Sequence, residues 1–179
     1  MNTCLVIYAS QTGTTELVAL EIARRFKQHN WRVDLRRIDQ DWKKHTQPIP
    51  FRDYDFLCAG SWTYYSLPVP WIQEALRATP FANGIITPGP KNALAFCTYG
   101  GEHLGAREAD ACLTLLEILC EHHGFAPLGS IAVHNRQGIP PANPLLYDPD
   151  KHEWPLKQEL ARLHGFLDQV FERLAAESF

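Results

Sequence analysis

Apolar and polar residues fall in alternating blocks along this chain. Five short apolar, β-rich runs stand out, at 3–8, 32–36, 54–59, 93–97 and 128–134. Most are nearly continuous in their apolar character. That pattern predicts strands covered on both faces, as in a parallel sheet, rather than half-exposed antiparallel strands. Helical periodicity fills the gaps. Val18, Ala19, Ile22, Ala23 and Phe26 share one face of a helix predicted over 14–29, and 70–78 predicts a shorter helix with proline at its start. Residues 108–123 place Cys112, Leu115, Leu116 and Leu119 on one face, with Gly124 as the stop. Residues 155–177 carry a stripe of Leu156, Leu160, Leu163, Leu167, Val170, Phe171 and Leu174. Strand and helix alternate throughout, which predicts right-handed βαβ crossovers and one doubly wound α/β domain over 1–179. One long irregular stretch, 135–154, holds Pro140, Pro141, Pro144 and Pro149. A loop of that length in a compact domain is a lid, a binding loop, an interface arm or plain surface.

Composition narrows the class. The 179 residues are 45% hydrophobic and 21% charged, with a net charge of −3. Near-neutral charge argues against a general nucleic-acid binder. No apolar stretch approaches the roughly 20 residues that span a bilayer, and no basic region with a signal-length apolar segment opens the chain. The expectation is a cytoplasmic protein without nucleic-acid or membrane partners. Cys4, Cys58, Cys97, Cys112 and Cys120 are odd in number, irregularly spaced and set in apolar runs, which predicts buried reduced thiols. With no C-x-x-C and no H-E-x-x-H, no metal is expected; His122 and His123 suit a helix C-terminus. Arg24, Arg25, Lys27, Arg32, Arg36 and Arg37 form a solvated basic face or a docking patch for an acidic partner. No G-x-S-x-G is present, which argues against a serine hydrolase. The apolar helix at 108–123 is either core or part of a homodimer interface.

The stretch SQTGTTE, at 10–16, carries the chemistry. It follows the first strand and leads into the first helix. In a parallel α/β sheet, ligands bind beyond the carboxyl ends of strands where strand order reverses. A helix N-terminus there offers free N–H groups and a favourable dipole for an anion. Ser10, Thr12, Thr14 and Thr15 add hydroxyls, Gln11 sits among them, and Gly13 permits close backbone approach. The loop lacks the lysine and second glycine of a Walker A loop and the G-x-G-x-x-G of a dinucleotide fingerprint. Asp34 lies inside the second strand and is discounted as a ribose ligand. What remains is a cradle of neutral donors for a monophosphate held without counter-charge.

SQTGTTE resembles the S/T-x-T-G-x-T phosphate loop of flavodoxins. YDFLCAGSWTYYSLPVPWIQEAL, at 54–76, resembles their third strand, second flavin loop and following helix. ALAFCTYGGEHLGAREAD, at 93–110, is similar to their fourth strand and third flavin loop. The resemblance implies a five-stranded parallel sheet in the order 2-1-3-4-5, with helices on both faces and FMN at the carboxyl edge. It implies phosphate on Ser10–Thr15. The flavin ring would lie between Ser61, Trp62, Thr63, Tyr64 and Tyr65 on one side and Thr98, Tyr99, Gly100 and Gly101 on the other, with Trp62 or Tyr64 and Tyr99 stacking. The implied activity is electron transfer between partner proteins. The chain departs from acidic electron-carrier flavodoxins in its near-neutral charge, and its third loop offers one acid, Glu102, beside His103. The extra length after the fifth strand points to a second reading. TYGGEHLG loosely resembles the third loop of tryptophan-repressor-binding-protein-like quinone reductases, which use FMN, NAD(P)H and a quinone. There His134 or Arg136 would bind the reduced flavin or donate a proton to the quinone. A flavin-free interaction module on the same fold is the third reading.

Overall fold

A computed structural model describes residues 1–45, 49–78, 91–100, 105–135 and 157–176. Five long strands, β1 (Thr3–Tyr8), β2 (Arg32–Arg37), β3 (Phe56–Tyr64), β5 (Lys91–Tyr99) and β6 (Phe125–His134), form a parallel sheet in the order β2-β1-β3-β5-β6. A two-residue strand, β4 (Leu67–Pro68), pairs antiparallel with the end of β3. The five long strands therefore have the expected 2-1-3-4-5 order.

Side chains alternate across each strand and so feed two cores. On one face Val6, Phe56, Cys58, Leu94 and Phe96 pack under α1 (Thr14–Gln28) and α5 (Lys157–Ala176), through Val18, Ile22, Phe26, Leu163, Leu167 and Val170. On the other, Leu5, Ile7, Leu57, Ala59 and Cys97 pack under α3 (Pro70–Arg77) and α4 (Arg107–Glu121), through Ile72, Leu76, Cys112, Leu116 and Leu119. The short helix α2 (Trp42–His45) adds Trp42 to this second core. Burial on both faces is why the central strands read as unbroken apolar runs. All five cysteines are buried and free, as their apolar surroundings predict. Gly60 has a packing role: a methyl group there would lie 2.1 Å from the Phe96 ring.

Several boundaries differ from expectation. The third strand, predicted at 54–59, runs instead from Phe56 to Tyr64. Tyr54 lies outside it and donates its hydroxyl to Asp34 Oδ2 at 2.8 Å, so Asp34 is engaged within the sheet region. The strand continues because Ser61 and Trp62 still pair with Cys97 and Thr98, after which Thr63 and Tyr64 pair with Pro68 and Leu67. Ser61, Trp62, Thr63 and Tyr64 are therefore strand residues, not the loop residues the resemblance implied. Only Tyr65 and Ser66 remain as a turn, with φ of 49° and 62°. Two central residues at positive φ make a tight hairpin turn whose twist matches its strands. The last strand begins at Phe125, earlier than expected, and accommodates Pro127 because it is an edge strand with a register shift opposite Ala93–Ala95. Of the proline-rich stretch 135–154, only Asn135 lies within the described residues.

Candidate functional site

The sheet order reverses between β1 and β3, and the candidate site lies beyond that point. Just past β1 the Ala9 N–H still donates to the Gly60 carbonyl at 3.0 Å, and the chain then turns away at Ser10. Ser10 Oγ accepts the Gly13 N–H at 3.1 Å. Gly13 adopts φ 95°, a conformation glycine takes without a Cβ penalty, and its carbonyl accepts the Leu17 N–H to open α1. No side chain caps this helix, so its first amide groups keep their capacity for an anion. The Thr12 and Thr14 hydroxyls lie 3.3 Å apart. The Thr15 and Thr98 hydroxyls share a buried hydrogen bond of 2.8 Å, which ties the loop after β1 to the end of β5.

These segments enclose a cavity of about 150 Å³ lined by Gln11, Thr12, Thr15, Trp62, Thr63, Thr98, Tyr99, Gly100 and Asn135. The structure thus brings together residues from all three stretches that the sequence singled out. Other candidates sit elsewhere. Ser61 is fully buried; its hydroxyl donates to the Trp62 carbonyl and accepts the Val69 N–H, so it braces the β3–β4 hairpin. Tyr64 and Tyr65 are 53% and 88% exposed and meet each other edge to face at 4.8 Å, off the cavity wall. Ser10, Gly13 and Thr14 complete the loop whose Gln11, Thr12 and Thr15 line the cavity, with the Thr14 hydroxyl beside that of Thr12. His134 lies beside the site, its ring 4.8 Å from that of Tyr99 and its backbone N–H donated to Glu159 Oε2. Gly101 and Arg136 lie outside the described residues, as do Glu102 and His103.

Three further residues, not among those the sequence assigns to the site, meet it. Asn135 follows β6, donates its N–H to the Tyr99 carbonyl at 2.8 Å and lines the cavity. Its buried Oδ1 has no hydrogen-bond partner among the described residues. Glu108, in the first turn of α4, accepts the Thr63 hydroxyl at 3.1 Å through one oxygen, while its buried Oε2 has no partner among the described residues. Arg37, the last residue of β2, stands behind the loop, paired with Glu16. Its Nη2 donates to the Ser10 carbonyl at 3.1 Å and its Nη1 lies 3.3 Å from Glu16 Oε2. Glu16 also accepts the Tyr8 hydroxyl at 2.9 Å. Burial, and then that bond to a carboxylate, push the Tyr8 phenol far above its ordinary range, so it stays a donor. No local pattern in SQTGTTE announces Arg37, because strand pairing of β1 with β2 delivers it.

The fold has many solved counterparts. A flavodoxin from the domain Archaea superposes with a TM-score of 0.52 at 18% identity, covering 75% of this chain and 86% of that one. A rubredoxin:oxygen oxidoreductase from Desulfovibrio gigas gives a TM-score of 0.66 at 17% identity over 99% of this chain, which spans 37% of that longer one. The fold is flavodoxin-like. A flavodoxin, WrbA-like protein from Agrobacterium tumefaciens shares it with a TM-score of 0.52 at 18% identity, over 75% of this chain and 82% of that one. No family model matches the sequence, and no curated protein does. Within this flavodoxin-like frame, the wall of the cavity is rich in hydroxyl donors with two aromatic rings beside them. Such a wall can hold an anionic group at the helix end and a flat ring against an aromatic face. Among the described residues no group of acids, histidines and cysteines is placed to hold a metal ion, and no helix is long and apolar enough to cross a membrane.

Proposed function

We propose that this chain binds FMN non-covalently and carries electrons between partner proteins. The observation that supports the reading is the cavity where the hydroxyl loop, Trp62–Thr63 and Thr98–Gly100 meet at an uncapped helix N-terminus. The donor set fits the group. Thr12, Thr14, Thr15 and the first amides of α1 would hold the phosphate, with the Arg37 guanidinium behind the loop. Asn135 Oδ1, an acceptor with no partner among the described residues, suits a hydroxyl or N–H of the ligand. Trp62 and Tyr99 would flank the ring. At about 150 Å³ the cavity is smaller than the roughly 300–1,000 Å³ that encloses a drug-sized ligand. That suits a site gripping the phosphate and polyol while an edge of the ring stays open to a redox partner. FMN, when bound, supplies the electron-transfer chemistry, and the chain sets its binding and local charge.

A second reading, an NAD(P)H-dependent quinone reductase, is favoured by one observation. The His134 imidazole lies against Tyr99 at the site, where it could hand a proton to a reduced acceptor. The visible spectrum of the purified protein, before and after reconstitution with FMN, tests the first reading. A protein that stays colourless with excess FMN is a flavin-free module. Rapid NAD(P)H oxidation with a quinone and no added reductase replaces the carrier with the enzyme.

A further inference from the structure

A second cavity, of about 370 Å³, adjoins the first across their shared residues Gln11 and Trp62. It opens on the β2 side of the switch point, and its size falls within the range of small-molecule sites, about 300–1,000 Å³. We propose that it is a subsite for an adenosine 5′-phosphate group. The proposal rests on the redox reading above and extends it to a second nucleotide moiety.

Three features of the wall carry the assignment. First, Trp62 and Trp71 pack edge to face at 5.4 Å, and both stay partly exposed to the cavity. They offer an aromatic surface on which a base stacks without regard to its hydrogen-bonding edge. Second, Asp39 follows the end of β2. Its Oδ1 accepts the Asp41 N–H at 3.0 Å, and Asp41 is itself paired with Lys44 at 2.7 Å. Asp39 is therefore the wall carboxylate with no cation partner among the described residues. A carboxylate oxygen free of a cation can accept from the hydroxyls of a ribose diol. Third, Arg37 lines the same cavity. Two of its five N–H donors go to Ser10 and Glu16. The remaining donors suit a phosphate oxygen, to which guanidinium bonds are strong and directional. Aromatic wall, acceptor and guanidinium match base, diol and phosphate. The moiety has two sources, the adenylate half of FAD or a pyridine nucleotide.

The test is titration of the purified protein with 5′-AMP, read by tryptophan fluorescence and calorimetry. Saturable binding is expected, and Asp39→Asn and Trp71→Ala should each weaken it by about tenfold. Asp39→Asn keeps an acceptor for the Asp41 N–H, so its effect does not depend on unfolding. The double variant Thr12→Val/Thr14→Val should leave 5′-AMP affinity unchanged while losing FMN. FAD in the flavin released by heating assigns the subsite to the cofactor's own adenylate; released FMN with competition by NADH or NADPH assigns it to a separate nucleotide. In a protein whose released flavin is not FAD, absence of saturation at millimolar 5′-AMP, or binding abolished by the threonine pair and untouched by Asp39→Asn, overturns the proposal and leaves the FMN reading standing. Intact 5′-AMP binding in a protein that takes up no FMN overturns the FMN reading alone.

Discussion

Arg37 reaches across from β2 to donate to the carbonyl of Ser10 at 3.1 Å, placing a positive charge behind a loop whose own sequence has none. The contact changes the expected energetics of the cradle. The charge is shared with Glu16, and the Arg37 side chain is about half exposed, so its pull on a bound phosphate is damped by solvent.

Replacing Arg37 by Met should therefore lower FMN affinity by only about two- to fivefold, the scale of a partly exposed ion pair. The deficit should shrink as salt is raised, because screening weakens the wild-type interaction. Fluorescence titration of FMN at low and high ionic strength checks both.

The threonines should matter more. Thr14 is buried, and Thr12 lies within 3.3 Å of it at the mouth of α1. In Thr12→Val/Thr14→Val each lost hydrogen bond to a charged group costs about 1.5–3 kcal/mol, so FMN binding should weaken by about two orders of magnitude or more. Equilibrium titration reads the change; an affinity equal to wild type removes this loop from the site.

The α1–α5 seam should make stability pH-dependent. Burial raises the Glu21 carboxyl, but hydrogen bonds from Arg24 and His164, at 2.5–2.8 Å, together outweigh it and hold the group below its ordinary range. A carboxyl depressed in the folded state stabilises the fold above its unfolded pKa, and that contribution is lost as pH falls through the lower folded value. Glu21→Gln should cost about 1–3 kcal/mol at neutral pH and flatten the acid limb of the stability curve. Urea denaturation across pH 3 to 7, on the order of one unit per step, measures both effects.

The hairpin after β3 holds Ser66 at φ 62°, where a side chain is strained. Ser66→Gly should raise stability by about 1 kcal/mol by relieving that strain, with no change in the cavity wall, which Ser66 does not line. Thermal unfolding with and without FMN separates the effect on the fold from any effect on binding.

The element order, the parallel sheet and the buried thiols follow from local pattern. Periodicity is a property of each segment, and a strand covered on both faces must be apolar along its length. The hydroxyl loop was legible for the same reason, since its donors and its glycine are neighbours in the chain. Tertiary pairing decided the rest. Ser61 looked like a ligand residue and became a hairpin brace because β3 keeps pairing with β5 past Gly60. Tyr65, expected beside the flavin ring, is an exposed turn residue. Arg37, Glu108 and Asn135 lie 27, 98 and 125 residues beyond Ser10 and meet the site through strand pairing and crossover connections. Such residues leave no local signature, because their proximity is set by which strands pair and in what register. The sequence by itself determined what kind of sheet forms and where its hydroxyl-rich turn lies; only the packed structure decided which side chains face the cavity and which charge stands behind that turn.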